Sequence, residues 1–405
     1  MDMADSGLPK QVKGISLEDV SALAERATSA VRKVRSRMLS PTSRKTAPVL
    51  TSTQVCVLCG IDKNHMNYRL TKKDLPAGTM KGQRSSRMFT LAETRVWIKD
   101  YLGVRRPAGA KGIVITVGNF KGGSGKTTTT MTLGQGLSLK GMSVLLVDLD
   151  PQGSLTTLTG LLPDAEIDDE ATVAPLCFGD QEDIRYAIRK TYWDGIDLVP
   201  ASPSLYSAEF ALPARQSNER GFRFWDVLNQ GLQSVRDEYD VILIDTPPSM
   251  SYLTMNALMA ANGLIVPMPP NALDYASSAQ FWSLFSDIAS GLQKNKQFEK
   301  SFDFVHVLLS RVDMTDAASA VVREWITATY AEKVLPVEIP KTAVTSASSA
   351  EFGTVYDIGR YEGSQKTYHR AREAYDRFAE LIEQSILQTW SNQGASSPDS
   401  MLAAQ

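Results

Sequence analysis

The chain has 405 residues, 43% of them hydrophobic and 22% charged, with a formal net charge of −2. This length and composition predict two or three domains with an apolar core, and without a run of 18 apolar residues we expect no membrane-spanning helix. Asp2 and Asp5, with no apolar stretch after them, argue against a secretory signal, and three cysteines favour a reducing cytosol over a disulfide framework.

The net charge conceals an asymmetry along the chain. Residues 1–111 contain 21 Lys and Arg against 9 Asp and Glu, whereas the remainder contains 22 against 36. A basic segment followed by an acidic body indicates a nucleic-acid-binding module attached to a different domain, although charge runs are also typical of solvated surfaces.

The first predicted element is a helix over Ile15 to Met38. Its apolar residues recur in steps of three and four, which is the spacing of a coiled-coil seam. These residues are Val20, Ala24, Ala27, Val31, Val34 and Met38. The pattern fits either a dimerisation helix or a helix packed on its own domain, and we favour dimerisation. A linker rich in Pro, Ser and Thr follows over residues 40–48.

Two short helices are predicted next, Ser52 to Leu58 and Lys63 to Thr71, separated by a turn at 60–62. This is helix-turn-helix spacing, in which the second helix enters a DNA groove. The polar residues available to the groove are Asn64, His65, Asn67, Tyr68 and Arg69. Cys56 and Cys59 have C-x-x-C spacing but no second ligand pair nearby, which favours two buried apolar residues over a metal site.

A basic loop, Lys81 to Arg87, follows the second helix and contains Arg84. It has the composition of a wing, and we expect Arg84 and Arg87 to contact phosphates, which gives affinity and not sequence preference. An amphipathic helix from Leu91 to Leu102 completes the predicted DNA-binding unit.

A glycine-rich loop carries the clearest chemistry of the chain. Residues 121–128 read Lys-Gly-Gly-Ser-Gly-Lys-Thr-Thr, after an apolar strand at 112–118 and before a helical segment ending near Lys140. A strand, a glycine-rich turn and a helix N-terminus together bind phosphate through backbone N–H groups. A second lysine, Lys121, stands five residues before Lys126, which indicates the deviant form of the phosphate-binding loop.

The body alternates strands with helices. Further strands are predicted at 143–148, 196–200, 239–245, 264–267, 304–310 and 334–339. Continuous apolar runs within them suit a doubly wound, mostly parallel α/β sheet whose site lies at the strand carboxyl ends. Two strands run into Asp148-Leu-Asp150 and Asp245-Thr-Pro-Pro, and acids there hold Mg²⁺ beside a phosphate loop, with Thr127 as the hydroxyl ligand.

Together the three motifs resemble the ParA/MinD class of P-loop ATPases. They are Lys-Gly-Gly-Ser-Gly-Lys-Thr-Thr, Asp-Leu-Asp-Pro-Gln-Gly and Ile-Asp-Thr-Pro-Pro, in that order. With the N-terminal helix, the helix-turn-helix and the segment 84–93, the chain is similar to the larger ParA proteins of plasmid partition. The resemblance covers all but about the first dozen and the last fifteen residues.

The resemblance implies roles for the matching residues. Lys121 is expected to contact the nucleotide of a partner subunit in an ATP-bound homodimer, and Asp150 to position the attacking water. The cradle for ATP or ADP is Lys121, Gly122, Gly123, Ser124, Gly125, Lys126, Thr127 and Thr128, and the Mg²⁺ site is Thr127, Asp245 and Asp150. Asp148 is less certain and could simply brace the loop; Arg311 and Pro340 are weaker candidates for adenine contacts.

The family also implies a function. Its members coat the nucleoid in the cytoplasm as ATP-bound dimers on non-specific DNA, release it when a ParB-type partner stimulates hydrolysis, and in the longer type repress their own operon. A basic cluster in the last helix is a candidate for the non-specific contact, against the alternative of a solvated face. Its residues are Lys366, Arg370 and Arg372, continuing to Arg377.

Other functions are weighed by whether the sequence contains the features that they need. A MinD-like protein needs a basic amphipathic C-terminal helix, which Ser391 to Gln405 does not supply, and a nitrogenase-iron-protein-like reductase needs a cysteine pair where only Cys177 stands. A nucleotide-regulated repressor with little turnover and an ATPase that positions a protein cargo stay open. The predicted divisions are 1–47 (helix and linker), 48–110 (DNA binding), 111–390 (ATPase) and 391–405 (flexible tail).

Overall fold

The computed structural model describes residues 15–38, 45–81, 86–102, 105–294, 300–342, 344, 353–359 and 363–395. The chain divides into two compact units, Met1–Lys45 and Thr46–Gln405. The predicted segments 48–110 and 111–390 therefore belong to one unit. No helix of the described residues combines the length and apolarity needed to cross a membrane.

The first unit contributes one helix, α1 (Leu17–Met38), which begins two residues later than predicted. Asp19 fixes its start by accepting hydrogen bonds from both the N–H and the hydroxyl of Ser16. Val20, Val31 and Val34 of the predicted seam each expose about half of their surface within the described residues (47–50%). An apolar stripe with that exposure is available to another helix.

The second unit opens with three helices and a small antiparallel sheet of order β1-β3-β2. The helices lie within one residue of their predicted ends. Thr51 and Thr90 each form a capping box with the residue three positions later, which fixes the starts of the first and third helices. The elements are β1 (Leu50–Thr51), α2 (Ser52–Cys59), α3 (Lys63–Lys72), β2 (Thr79–Lys81), β3 (Ser86–Phe89) and α4 (Leu91–Tyr101).

The turn between α2 and α3 depends on Gly60, whose φ of +65° ends α2 in the left-handed region. Cys56 and Cys59 are buried, and the Cys56 thiol lies 3.7 Å from the sulfur of Met66 on α3. The two cysteines therefore pack as small apolar residues between the helices, as the sequence favours.

An eight-stranded sheet forms the centre of the second unit, in the order β11-β10-β9-β4-β8-β5-β7-β6. All neighbours are parallel except β6 and β7, so the predicted doubly wound α/β class is confirmed. The strands are β4 (Ile113–Val117), β5 (Val144–Asp148), β6 (Arg189–Lys190), β7 (Ile196–Val199), β8 (Val241–Asp245), β9 (Gly263–Met268), β10 (Phe304–Val312) and β11 (Val334–Pro340).

Helices cover both faces of this sheet. Ile113 and Ile115 of β4 face a core shared with α4, while Val114 faces a second core, so the apolar strands are buried on both sides. The helices are α5 (Lys126–Ser138), α6 (Ser154–Leu158), α7 (Pro163–Glu166), α8 (Ala174–Phe178), α9 (Leu205–Asn218), α10 (Val227–Leu232), α11 (Tyr252–Ala260), α12 (Ala272–Lys294), α13 (Ala317–Tyr330) and α14 (Gln365–Ala395).

A buried arginine joins α4 to the last turn of α5. The Arg95 guanidinium donates to the carbonyls of Ser138 and Met142 and pairs with Asp194 at 2.8 Å. Gly195 leaves room for it, because a Cβ there would overlap the guanidinium. The small N-terminal sheet and the parallel sheet are thus held together by specific contacts.

The last helix corrects one predicted boundary. α14 continues to Ala395, and the Ser391 hydroxyl donates to the carbonyl of Leu387 within it. The tail predicted to start at residue 391 therefore begins too early, because residues 391–395 extend a helix that packs on the core through Ile386 and Trp390. Residues 396–405 lie outside the described part of the chain.

Candidate nucleotide-binding site and basic surface

The loop between β4 and α5 has the backbone that phosphate binding requires. Gly123 and Gly125 adopt φ values of +76° and +94°, which side-chain-bearing residues rarely adopt. The first N–H groups of α5 thereby point toward the strand carboxyl ends. Nζ of Lys126 lies 3.1 Å from the carbonyl of Lys121, with only 6% of the residue exposed. Burial lowers the pKa of Lys126, while Asp245 and Asp150 oppose that shift.

The two strand-end acids Asp148 and Asp245 lie side by side, because β5 and β8 are neighbours in register. Asp148 accepts hydrogen bonds from the N–H and the hydroxyl of Thr156, both at 2.8 Å, and from the N–H of Asp150 at 3.2 Å. Burial raises the pKa of Asp148 to about 8. These contacts give Asp148 the bracing role that the sequence left open.

Asp245 has a different environment. One carboxylate oxygen accepts from the Thr130 hydroxyl at 3.3 Å, and the other is buried without a hydrogen-bond partner among the described residues. Burial raises the pKa of Asp245 to about 7, against the opposing effects of the Thr127 hydroxyl and Lys126. A buried carboxylate oxygen with no protein donor is the ligand that a hard cation needs, so this donor set fits Mg²⁺.

A cavity of about 630 Å³ opens above the loop and brings many predicted site residues together. It is lined by Gly122, Gly123, Gly125, Lys126, Thr127, Thr128, Asp150, Arg311 and Pro340 among the predicted residues. Lys121, Ser124 and Asp245 lie outside this lining. Ser124 is buried beneath the loop, where its carbonyl accepts from the hydroxyl of Ser310 at 2.8 Å.

Arg311 contacts the phosphate loop directly. Its Nη1 donates to the carbonyl of Gly123 at 2.6 Å, and its own φ is +53°, in the left-handed region. A strained backbone at a pocket rim is typical of a residue that the surrounding structure holds in place for binding. Arg311 therefore buttresses the phosphate loop as well as lining the cavity.

Sequence reasoning missed several residues of this cavity. They are Thr129, Ser154, Thr157, Leu158, Pro248, Ser310, Ile339, Lys341 and Tyr375. Ser310 and Lys341 adjoin predicted residues at strand carboxyl ends, which was a usable signal. Tyr375 comes from the middle of α14, and no local pattern marks it because only the packing of α14 on α5 brings it there.

The predicted DNA-reading helix α3 presents a polar surface. Asn64, His65 and Asn67 are exposed, and Asp62 caps the helix by accepting from the N–H of His65 at 2.7 Å. For Arg69, the structure differs from the prediction that it reaches a DNA groove. Its guanidinium pairs with Asp74 at 3.0 Å and Asp100 at 2.8 Å, so it ties α3 to α4 and does not project from the helix.

The predicted wing lies only partly in the described residues. β2 and β3 form its two strands, while Arg84 falls outside the described residues. The Arg87 guanidinium donates to the carbonyl of Ala77 and is half-buried. This contact holds the base of the strand pair and leaves Arg87 a poor candidate for a phosphate contact.

The basic cluster of α14 is divided. Lys366 and Arg370 are exposed, as a DNA contact requires. Arg372 also differs from the prediction of a DNA contact. Its Nε lies 3.1 Å from Asp376, and its guanidinium stacks on the ring of Tyr356, 4.1 Å from the centroid. It anchors the helix to the core.

Comparison with known proteins identifies the family. A family described as AAA domain matches residues 112–300. A putative replication protein A of Sinorhizobium fredii is 31% identical, over 85% of this chain and 87% of its own length. The chromosome partitioning protein ParA of Caulobacter vibrioides is 30% identical, over 65% of this chain and 94% of its own length. The chain belongs to the ParA-type partition ATPases.

One solved structure is similar in fold to nearly the whole of this chain. A structure described as a partition protein superposes with a TM-score of 0.65, covering 91% of this chain and 97% of the other. The identity is 19%, so this likeness concerns the fold.

Proposed function

We propose that this chain is a DNA-binding ATPase that partitions plasmid or chromosomal DNA. The observation that carries the proposal is the convergence of the phosphate loop, Asp150 and Arg311 on one cavity, beside the Asp245 carboxylate oxygen that has no hydrogen-bond partner among the described residues. ATP and ADP are the ligands of this cavity, and Mg²⁺ accompanies them.

Each group of the site has a task in phosphoryl transfer to water. Lys126 and the N–H groups from Gly123 onward hold the terminal phosphates, and Asp150 orients the attacking water. Mg²⁺, which Thr127 and Asp245 would hold with Asp150 adjoining, supplies charge neutralisation at the phosphate oxygens. Arg311 keeps the loop in its binding conformation through Gly123.

Lys121 acts across a homodimer. Within the described residues its ammonium forms no ion pair, and only its backbone is engaged, with the N–H donating to the Asn119 side chain at 3.1 Å. A lysine at the start of the loop with a free ammonium is available to a partner's nucleotide. Cations supplied in trans raise hydrolysis by roughly 10³–10⁵ in other NTPases. The exposed seam of α1 is the second dimer contact.

DNA binding involves two surfaces. Asn64, His65 and Asn67 on α3 read an operator, through which the protein represses its own operon. Lys366 and Arg370 on α14 bind nucleoid DNA without sequence preference. A ParB-type partner stimulates hydrolysis and so releases the nucleoid-bound dimer.

The test is ATP hydrolysis with and without non-specific DNA, for the wild type and Lys121→Ala. We expect DNA-stimulated turnover that disappears in Lys121→Ala while ATP binding persists. Lys111→Ala is the matched control, since Lys111 pairs with Asp237 at 2.7 Å away from the cavity. Undiminished turnover in Lys121→Ala contradicts the role across the dimer. Absence of turnover in all three, with operator binding intact, indicates a nucleotide-gated repressor.

Binding assays with two kinds of DNA distinguish the two DNA-binding surfaces. Lys366→Glu with Arg370→Glu should weaken non-specific binding and reduce its salt dependence, leaving operator preference intact. Asn64→Ala should relax operator preference at unchanged non-specific affinity. Equal losses on both DNAs for either variant contradict the assignment.

A further inference from the structure

A second cavity lies at the opposite end of the parallel sheet from the nucleotide site. It has a volume of about 350 Å³ and is formed by segments that precede strands: the end of α11 before β9, and Lys300 and Ser301 before β10. The nucleotide cavity, in contrast, lies where strands end. The two cavities share no residue.

Two partly buried cations, Arg236 and Lys300, line this second cavity. Nζ of Lys300 donates to the carbonyls of Met259 (2.9 Å) and Ala261, and the Arg236 guanidinium donates to the carbonyl of Gly112 and the side chain of Asn262. All four acceptors are neutral. Among the described residues, neither cation has a carboxylate oxygen within 4.0 Å.

The carboxylates nearest to these cations are already engaged. Asp226, which also lines the cavity, accepts from Asn229 at 2.8 Å and from Gln230 at 2.9 Å. Asp237 pairs with Lys111, and Asp303 accepts from the Asn262 amide at 3.1 Å. Hydrogen bonds from neutral amides leave the negative charges of Asp226 and Asp303 in place, but the lining of the cavity still holds three cations, Arg223, Arg236 and Lys300, against the single carboxylate of Asp226.

Burial lowers the pKa of both cations, that of Lys300 to about 8. The charge of Arg236 adds to the effect on Lys300, while the Asp303 carboxylate opposes the shift of both. Lys300 is thus still mostly protonated at neutral pH. Buried charges in proteins are normally paired, because an isolated one loses its hydration without compensation. Three cations and one carboxylate in the lining give a net charge of about +2, which a ligand with about two negative charges balances.

We propose that this cavity binds a small dianionic oxyanion of the phosphate class, such as inorganic phosphate or the terminal phosphate of a metabolite. Arg236 and Lys300 lie at its wall, and the exposed Arg223 lines its opening. Arginine suits this ligand because its planar donors match phosphate oxygens. A backbone phosphodiester of DNA carries one charge per phosphate and balances the site less well.

The experiment measures thermal stabilisation of the full-length protein by inorganic phosphate, with ADP at the lowest concentration that fills the nucleotide cavity, so that its terminal phosphate does not compete at the second cavity. Sodium chloride at equal ionic strength controls for salt. The wild type should show saturable stabilisation. Arg223→Glu should raise the half-saturating phosphate concentration about tenfold or more, because it reverses a charge at the opening.

Arg220→Glu is the matched control. It makes the same charge reversal on an exposed residue three positions away that does not line the cavity, and should leave the half-saturating concentration within about twofold of the wild type. Arg223 and Arg220 are both exposed, so neither variant opens the core. Lys300→Met removes a positive charge from the cavity wall, and the same phosphate titration then tests whether that charge contributes to binding.

Three results overturn the proposal. The first is the absence of phosphate-specific stabilisation in the wild type, and the second is an equal response in Arg223→Glu. The third is displacement of phosphate by duplex DNA at concentrations below those that fill the α14 surface, which would assign the cavity to nucleic acid. As an independent readout, the pKa of Lys300, followed by NMR of labelled lysine, should rise when phosphate binds.

Discussion

Gly195→Ala tests the contacts of Arg95 that hold the N-terminal elements against the parallel sheet. Gly195 has a φ of +84°, and an added Cβ would overlap the guanidinium of Arg95. Because that guanidinium ends a flexible side chain, it can move aside, but only by giving up its contacts. The substitution therefore measures the value of the Arg95 contacts together with the backbone strain.

The magnitude follows from the contacts that are lost. Backbone strain at positive φ costs about 1 kcal/mol for alanine. Arg95 would lose two hydrogen bonds to buried carbonyls and an ion pair whose partner, Asp194, has a side chain 48% exposed. Discounting the ion pair for solvent, these contacts contribute roughly 3 kcal/mol. We expect a loss of about 4 kcal/mol in the free energy of unfolding.

Gly221→Ala separates the two contributions. Gly221 has the same φ of +84°, and no described residue lies within 4 Å of an added Cβ, so its substitution should cost only the strain, about 1 kcal/mol. In an Arg95→Met background, Gly195→Ala should fall to the same value. The assay is urea unfolding followed by circular dichroism. Equal losses for Gly195→Ala and Gly221→Ala in the wild-type background would refute the reasoning.

Two further predictions concern His306 in β10 and Gly136 in α5. Burial lowers the pKa of His306 to about 4, so its neutral ring stabilises the fold above pH 6.5 and this contribution is lost as the pH falls toward 4. His306→Gln should therefore flatten the dependence of stability on pH between about 4 and 6.5, measured by thermal unfolding. An unchanged dependence contradicts the prediction. Gly136→Ala should destabilise by about 1–3 kcal/mol, because its Cβ would lie 2.6 Å from that of Ala379 on α14. Gly291→Ala in α12, where no described residue lies within 4 Å of an added Cβ, should instead stabilise slightly in the same urea assay.

Local sequence was sufficient for the parallel strands and for the helices of the N-terminal elements. The continuous apolar runs at 144–147 and 241–244 predicted strands buried on both faces, and the capping residues Thr51 and Thr90 started helices where expected. The phosphate loop and the acids at strand ends were also readable, since their chemistry is local in the chain. Parallel pairing then brings Asp148 beside Asp245.

What the sequence could not supply is the choice of partner for each charged side chain. Arg69 and Arg87 in the basic segment, and Arg372 in the basic cluster of α14, look like surface cations in the sequence, yet each contacts an acceptor within the fold. In contrast, Arg236 and Lys300 lie 64 residues apart in an acidic body and converge without a carboxylate within 4.0 Å among the described residues. Local patterns determined the elements and the nucleotide motifs because those depend on neighbours along the chain. Packing alone decided which charges are paired, because ion pairing depends on distance in space.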